Sequence, residues 1–325
     1  MNSFTVLKYQ RTEATLWNDF IENAVNATFL FHRDFMEYHA DRYEDFSLMI
    51  YKDTKLVAVL PAHIKDQEVF SHLGLTYGGL VWKKGLKLST ILQLFKEVLE
   101  YLHQNNISFL TLKMLPEIYP EYPSQDLAYA LFNAEANLIR RDALAVVDLT
   151  QKLSLSKDRK EGVKRAENCS LLFKQEWNVT DFWEKLLIPT LQKKHQASPV
   201  HSVVEMQKLM ERFPKNIQLF TVYDGAEMIA GTLLFITPNV VHSQYIASNE
   251  NKNETGSLDG LHYHLMTKVF PHHRWFDFGI SNEQNGRKLN EGLSYWKQSF
   301  GAASVIQDVY RVKTSNYVLL NNVLI

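Results

Sequence analysis

Residues 274–301 read RWFDFGIS, NEQNGRKLN and EGLSYWKQSFG in succession. The first block is aromatic and carries no charge between Arg274 and Asp277, which predicts a short strand. The second block is polar and contains Gly286, which predicts a loop. The third block has amphipathic spacing and closes on a glycine, which predicts a helix that ends at Gly301. The segment is therefore predicted to be a strand, a polar loop and a helix that carries Tyr295.

The composition excludes several classes of protein. The 325 residues are 46% hydrophobic and 22% charged, which is typical of a soluble globular protein with room for two domains. A formal charge of −1 predicts no general affinity for DNA or for an anionic membrane surface. No apolar run approaches the roughly 18–20 residues of a membrane span, and the N-terminus lacks a signal-peptide pattern. A single cysteine, Cys169, excludes an internal disulfide and a multi-cysteine metal site, so we expect a cytoplasmic protein.

Two parts of the sequence show the same order of predicted elements, a β-hairpin followed by a strand, a helix and another strand. Aligning Tyr51 with Tyr223 also aligns Leu56 with Met228. The matching segments are residues 46–60, 69–72, 87–104 and 109–113 in the first half, and residues 218–232, 241–244, 257–270 and 275–280 in the second. Hairpins of half-buried strands can look alike by chance, but four elements in the same order favour two copies of one α+β unit.

The strand and helix of residues 274–301 resemble the FemAB-like branch of the GNAT (N-acyltransferase) superfamily, in which a D-F-G/S strand leads into a G-L-x-x-[FY]-K-x-x-F-G helix. The resemblance implies an α+β chain of two tandem GNAT-like domains, each a mixed twisted sheet flanked by helices, with a cleft between them. We expect an N-terminal domain of residues 1–150 on the acceptor side and a C-terminal domain of residues 151–325 on the acyl-donor side. The basic helix predicted to start at Ser156 resembles the start of the family's second domain; taken alone, it indicates a solvated helix face.

The resemblance also implies a reaction. In a GNAT-type fold an amine attacks the thioester of an acyl-coenzyme A between two splayed parallel strands. A backbone N–H stabilises the oxyanion, and a general base takes the amine proton. A tyrosine early in the last helix often protonates the leaving thiolate, which implies that role for Tyr295; the alternative is a core tyrosine whose hydroxyl reaches the rim. His72, in a glycine-rich loop after a strand, and His242, on the strand expected in the cleft, are the other catalytic candidates.

The predicted cofactor site departs from the GNAT pattern. The motif [QR]-x-x-G-x-[GA], whose amides hold a pyrophosphate at a helix N-terminus, is absent. Gly256 and Ser257 remain as candidate phosphate contacts, and Asn285 and Tyr245 as further cofactor contacts. Acetyl-coenzyme A or another acyl-coenzyme A is therefore implied as co-substrate by the fold resemblance only. Some FemAB-like enzymes use aminoacyl-tRNA as the donor instead. The near-neutral net charge argues mildly against binding of tRNA, whereas the basic residues 157–165 are compatible with it.

Candidate acceptor contacts lie in three segments. Arg33 and His39 match a segment that contributes to the acceptor cleft of FemAB-like proteins, and Tyr77 shares the glycine-rich loop with His72. Lys194 and His195 follow a predicted helix and could contact an anionic acceptor; a solvated loop is the alternative. No metal is predicted, because no carboxylate or cysteine completes a ligand set around the histidines at positions 262, 264, 272 and 273.

The sequence thus favours an N-acyltransferase that moves an acyl group, expected to be acetyl, from acyl-coenzyme A to an amine. The family implies an amino-sugar of a nucleotide-sugar as the acceptor, in cell-envelope polysaccharide synthesis. Two alternatives stay open: an aminoacyl-tRNA-dependent peptidyl transferase of the FemAB type, and a non-catalytic double-GNAT protein that binds a nucleotide-sugar or a partner protein. The acceptor, the acyl length and the oligomeric state are also left open.

Overall fold

The structure, a computed structural model, describes residues 4–324 except the side chains of Lys194 and His195. The chain forms two compact units. Unit 1 comprises Met1–Asp142, Gln284–Arg287 and Ile306–Ile325, and unit 2 comprises Ala143–Glu283 and Lys288–Val305. We expected one boundary near residue 150, whereas the last segment of the chain returns to unit 1. Within residues 4–324 every helix is too short or too polar to span a lipid bilayer.

The strands and helices follow one another as mixed α and β structure. The strands are β1 (Phe4–Lys8), β2 (Glu44–Asp45), β3 (Leu48–Lys52), β4 (Lys55–Leu60), β5 (His63–Lys65), β6 (Glu68–Ser71), β7 (Val81–Trp82), β8 (Phe109–Lys113), β9 (Asn137–Asp148), β10 (Leu172–Glu176), β11 (Ile217–Asp224), β12 (Glu227–Ile236), β13 (Val240–Ser248), β14 (Trp275–Ile280), β15 (Asn282–Glu283), β16 (Lys288–Leu289) and β17 (Ala303–Lys313). The α-helices are α1 (Ala14–Glu22), α2 (Arg33–Met36), α3 (Leu88–Gln104), α4 (Asp126–Asn133), α5 (Lys157–Asn168), α6 (Thr180–Phe182), α7 (Ile188–His195), α8 (Val203–Arg212), α9 (Lys252–Thr255), α10 (Ser257–His264) and α11 (Glu291–Gln298). Short 3-10 turns cover Arg11–Glu13, Phe29–Phe31, Glu37–His39 and Thr314–Asn322, and π-helical turns cover Trp183–Leu187 and Leu265–Val269.

Unit 1 contains two groups of paired strands around one apolar core. The first group runs in the order β1-β3-β4-β7 and the second in the order β17-β8-β6-β5-β2. In the second group β6 and β8 are parallel, and the other neighbours are antiparallel. Helix α3 repeats apolar residues every three or four positions, and buries Phe95, Leu99 and Leu102 in the core. The turn Thr314–Asn322 packs on α3, which explains why the last residues belong to unit 1.

Unit 2 is built on a mixed sheet whose strand order is β10-β11-β12-β13-β14-β9. Neighbouring strands are antiparallel except β13 and β14, which are parallel. Helices α5 and α10 pack on each other, and α10 also contacts β11 and β12. An aromatic cluster of Phe276, Phe278 and Phe300 lies in the core, and the amphipathic helix α11 adds Trp296 at its edge.

The two predicted hairpins have the same register. Strand pair β3–β4 and strand pair β11–β12 each contain one register shift, directly before Tyr51 and Tyr223 respectively. The turn residues that these hairpins share, Asp53 and Gly225, have φ angles of 55° and 56°. Each unit also contains a parallel strand pair, β6–β8 in unit 1 and β13–β14 in unit 2. The structure therefore confirms the tandem arrangement that the sequence alignment predicted.

The segment at residues 274–301 folds largely as predicted. Its strand is β14 and its helix is α11, which begins after Asn290, whose side chain accepts a hydrogen bond from the backbone N–H of Leu293. The predicted polar loop contains a small hairpin, because β15 and β16 pair with each other. Ser156 caps α5 as expected, since its hydroxyl accepts from the N–H of Arg159 at 3.3 Å.

Candidate active site

The parallel pairing of β13 and β14 ends at His242 and Asp277. The paired positions are Val240 with Trp275, Val241 with Phe276, and His242 with Asp277. β13 continues to Ser248 and β14 to Ile280. Beyond the last pair the two strands no longer hydrogen-bond to each other. This is the strand separation that the GNAT resemblance implied.

His242 and Asp277 form a hydrogen-bonded pair at this point. His242 Nδ1 lies 2.8 Å from Asp277 Oδ2. Asp277 is fully buried, and the side chain of His242 is 9% exposed. Because a carboxylate only accepts hydrogen bonds, Nδ1 is the donor, and in the neutral form of this imidazole Nε2 carries the lone pair. Asp277 Oδ1 also accepts from the backbone N–H of Gly279 at 2.7 Å, which fixes the carboxylate. The pair thus presents an oriented imidazole that can accept a proton.

A buried lysine lies beside the pair. Lys297 of α11 is 4% exposed, and its ammonium donates to the carbonyl oxygens of Ile280 at 2.6 Å and Gly279 at 3.2 Å. Burial lowers the pKa of Lys297 to about 8, against the opposing effect of the Asp277 carboxylate. An ammonium held at the end of β14 can stabilise negative charge that develops nearby in a transition state.

Gly279 allows the imidazole to take this position. Its φ angle is +71°, and a Cβ atom there would lie 3.3 Å from Cε1 of His242. We expect Gly279→Ala to cost about 1–2 kcal/mol of unfolding free energy, from the left-handed backbone, and to displace the imidazole from Asp277. Gly225→Ala is the matched control, because Gly225 has φ +56° with no atom near its Cβ position.

Both glycine variants should lose similar stability in urea unfolding, whereas only Gly279→Ala should lower the rate of acyl transfer. Equal rates for the two variants would show that the position of the imidazole does not matter for the reaction.

Unit 1 lacks the corresponding pair. The alignment that matches Tyr51 with Tyr223 places Phe70 at the position of His242. Phe70 pairs with Thr111 in the parallel β6–β8 ladder. Neither a phenylalanine nor a threonine provides a general base at neutral pH. A histidine–aspartate pair is therefore present at this position in unit 2 and not at the matching position in unit 1.

The start of α10, where a GNAT-type cofactor phosphate was expected, is covered by α5. The carbonyl oxygen of Gly162 lies against Gly256, and Ser257 is fully buried. In the same turn, Asp259 binds the guanidinium of Arg159 from α5. This packing leaves a phosphate no open approach to Ser257.

The other two predicted cofactor contacts lie apart from this turn. Asn285 is exposed in the turn between β15 and β16. The hydroxyl of Tyr245 lies 2.7 Å from Nδ1 of His201, and burial raises the pKa of Tyr245 to about 12. The register of β12 with β13 shifts between Tyr245 and Ser243.

Tyr295 lies on the surface of α11. Its side chain is 57% exposed, and its hydroxyl donates to Asp158 Oδ2 at 2.9 Å. That hydrogen bond raises the pKa of Tyr295. Tyr295 and Lys297 are two residues apart on one helix, so they point in different directions. The structure therefore brings Lys297, and not Tyr295, to the His242–Asp277 pair.

The Tyr295 hydroxyl can be tested directly. We expect Tyr295→Phe to change kcat by less than about two-fold, because an exposed hydrogen bond to a surface carboxylate contributes little. Initial rates across neutral and alkaline pH would measure this, with Asp158→Ala as the control for loss of the same contact. A loss confined to alkaline pH in Tyr295→Phe alone would restore the predicted role in protonating the leaving group.

His39, a predicted acceptor contact, and His72, a predicted catalytic residue, lie together in unit 1. Their rings stack with centroids 4.9 Å apart, and both side chains are buried. His63 and Tyr43, which the sequence did not suggest, complete the cluster. Burial, with smaller contributions from His39 and His63, lowers the pKa of His72 to about 2, so this imidazole is neutral at physiological pH.

The remaining acceptor candidates are engaged in packing or lie outside the described side chains. Arg33 is buried, forms an ion pair with Asp45 and stacks over the ring of Tyr9 at 3.9 Å. The buried hydroxyl of Tyr77 donates to Thr28 at 3.0 Å. The side chains of Lys194 and His195 are not among those that the structure describes.

Sequence reasoning missed Asp277 and Lys297 as site residues, although both lie in the segment that it selected. Lys297 occupies the lysine of the G-L-x-x-[FY]-K pattern, and Asp277 occupies the aspartate of the D-F-G strand. These two pattern positions are the features of the sequence that could have identified Lys297 and Asp277 as site residues. Among the described residues no group of three or more His, Cys, Asp or Glu side chains is arranged to hold a metal ion.

Residues 177–297 match the family model described as an acetyltransferase (GNAT) domain. No curated protein matches the chain.

Several solved structures have a similar fold. A FemX structure is 11% identical with a TM-score of 0.66, covering 94% of this chain and 96% of its own. A tandem GNAT protein from the clavulanic acid biosynthesis pathway is 11% identical with a TM-score of 0.54, covering 97% and 99%. The C-terminal domain of a putative lysylphosphatidylglycerol synthetase from Agrobacterium fabrum is 12% identical with a TM-score of 0.55, covering 81% and 84%. The chain thus has a FemX-like fold of tandem GNAT-like units and carries an acyltransferase domain at residues 177–297.

Proposed function

We propose that unit 2 transfers an acyl group from an activated ester to a primary amine, with His242 as the general base. The observation that supports this proposal is the hydrogen-bonded His242–Asp277 pair at the point where β13 and β14 separate. Nε2 of His242 takes a proton from the acceptor nitrogen as that nitrogen bonds to the acyl carbon. Asp277 stabilises the imidazolium that forms.

The second half of the reaction releases the alcohol or thiol of the donor. The bond between the acyl carbon and the leaving oxygen or sulfur breaks, and the imidazolium returns its proton to that atom. The Lys297 ammonium, held by the carbonyls of Gly279 and Ile280, lies where it can attract the negative charge of the intermediate. These steps use only side chains of unit 2.

An aminoacyl ester, as in aminoacyl-tRNA, is the donor that the geometry favours over a coenzyme A thioester. The N–H of Gly256 donates to the carbonyl oxygen of Lys252 and the N–H of Ser257 to the hydroxyl of Thr255, so these amides already have partners where a pyrophosphate would bind. An aminoacyl ester has no pyrophosphate to bind. The similarity to FemX supports the proposal at the level of the fold.

Acetyl-coenzyme A is the second candidate donor, and the match of residues 177–297 to an acetyltransferase domain favours it. The structure of the tandem GNAT protein of the clavulanic acid pathway, which was solved without AcCoA, associates a similar fold with the same thioester. In this case the cofactor phosphates would have to bind away from the start of α10. The acceptor that the sequence suggested, an amino-sugar carried on a nucleotide, stays a prediction for either donor, as does a cytoplasmic location.

Binding and transfer measurements separate the two donors. We expect no rise in melting temperature with acetyl-coenzyme A or free coenzyme A at millimolar concentration, and formation of an N-aminoacyl product when a short aminoacylated acceptor-stem RNA is mixed with amine acceptors. Mass spectrometry detects the product, and His242→Gln is the control for uncatalysed transfer. Micromolar binding of acetyl-coenzyme A would overturn the ester donor and establish the thioester.

A further inference from the structure

A groove that the proposed reaction does not use lies between α5 and α10. It contains a cavity of about 210 Å³ and a wider, more open depression of about 590 Å³. The two are continuous, because they share the lining residues Val163, Glu167, Tyr263 and Thr267. The larger volume lies within the range of about 300–1,000 Å³ that is typical of small-molecule sites.

The inner cavity is mainly apolar. Leu171 and Phe173 from the chain around β10, and Ala166 from α5, form much of its wall. The ring of Phe173 stacks on His264 with centroids 5.0 Å apart, so these two aromatic faces are already covered by each other. Such a wall suits hydrocarbon, which needs no hydrogen-bond partners.

The rim of the groove is basic. Lys152, Lys160, Lys164 and Lys268 are exposed along it, and Glu167 is the acidic residue among the lining side chains. Within residues 4–324, none of these four lysines forms an ion pair, whereas other lysines of unit 2 pair with carboxylates four residues away, as Lys185 does with Asp181. An apolar cavity with an excess of positive charge at its mouth is complementary to an anion that carries a hydrocarbon tail.

We propose that the α5–α10 groove binds an anionic amphiphile, with its hydrocarbon tail in the cavity and its phosphate or carboxylate head between the lysines. A single-stranded RNA fits less well. RNA sites use exposed aromatic faces on which bases stack, and arginines that bind phosphate in a bidentate way; Phe173 and His264 cover each other, and no arginine lines the groove.

The test uses the full chain and two probes that share this chemistry. Dansyl-undecanoic acid reports a soluble amphiphile through its fluorescence, and flotation with phosphatidylcholine vesicles, with or without phosphatidylglycerol, reports an anionic lipid surface. We expect saturable binding of at least one probe, weakened about ten-fold or more by the double variant Lys160→Gln and Lys164→Gln. The double variant Lys208→Gln and Lys215→Gln, which removes the same charge from positions outside the groove, should bind as the parent does.

A second variant tests the cavity itself. Thr267→Trp places a large side chain at the shared wall, and should abolish binding of the tail while the melting temperature shows that the unit is folded. Binding of the dansyl probe alone assigns the groove to a free amphiphile, and binding of phosphatidylglycerol vesicles alone assigns it to a lipid surface. No saturable binding, equal binding by all variants, or lysine-dependent binding of single-stranded RNA in place of either probe would overturn the proposal.

Discussion

His242→Gln is expected to lower kcat about 10²- to 10⁴-fold, while the dissociation constant of the acyl donor stays close to that of the parent protein. Glutamine preserves much of the side-chain volume and can still hydrogen-bond to Asp277, but it cannot take a proton from an amine at neutral pH. The loss should therefore appear in the chemical step and not in binding. Single-turnover rates with the donor that the binding measurements identify would separate the two quantities.

Asp277→Asn should produce a loss of similar size for a different reason. The Asn amide offers its own N–H to Nδ1 of His242 and favours the tautomer whose Nε2 carries a proton and cannot act as a base. His272→Gln is the matched control, since His272 is exposed in the same unit. If His242→Gln and Asp277→Asn both keep the parental rate, the general base lies elsewhere and the proposed mechanism is wrong.

Lys297→Met is expected to change how stability depends on pH. The folded-state pKa of about 8 lies below the usual 10.5 of lysine, so the unfolded chain binds more protons between these values. Below about pH 8 the buried ammonium lowers the free energy of unfolding of the parent protein by its full amount. This destabilisation decreases as the pH rises to about 10.5. At about 1.4 kcal/mol per pKa unit, the parent should gain about 3 kcal/mol relative to Lys297→Met over this range.

Urea unfolding of both proteins at a series of pH values measures this difference, because groups present in both cancel. Lys215→Met is the control, since Lys215 is exposed and its ammonium stays in water in both states. Its stability relative to the parent should not drift with pH. Parallel stability curves for Lys297→Met and the parent would mean that Lys297 is not desolvated. In activity assays, the same variant should lose rate most strongly below pH 8, where the parental ammonium is charged.

Local patterns predicted the elements that position the site. The strand at 275–280, the helix predicted from residue 257 and the capped helix after Ser156 are all present, because alternation, helical spacing and caps depend on neighbouring residues. The tandem arrangement also followed from sequence, because Tyr51 and Tyr223 share a hairpin register that two-residue turns impose.

The assembly of the site depends on contacts between distant residues. His242 and Asp277 are 35 residues apart, and only the parallel register of β13 and β14 brings them together. The register of β12 with β13 also shifts between Tyr245 and Ser243, and strict alternation along a strand does not predict such a shift. The covering of Gly256 by α5 likewise follows from helix packing, which a loop motif does not encode.

The return of residues 306–325 to unit 1 has a consequence for synthesis on the ribosome. Unit 2 has all of its residues by Val305, whereas unit 1 still lacks the strand segment and the turn that pack on β8 and α3. Unit 1 is therefore synthesised first but completed last. Its core stays incomplete while the rest of unit 2 is synthesised. During that interval the open edge of β8 and the bare face of α3 are the surfaces that a chaperone would have to protect.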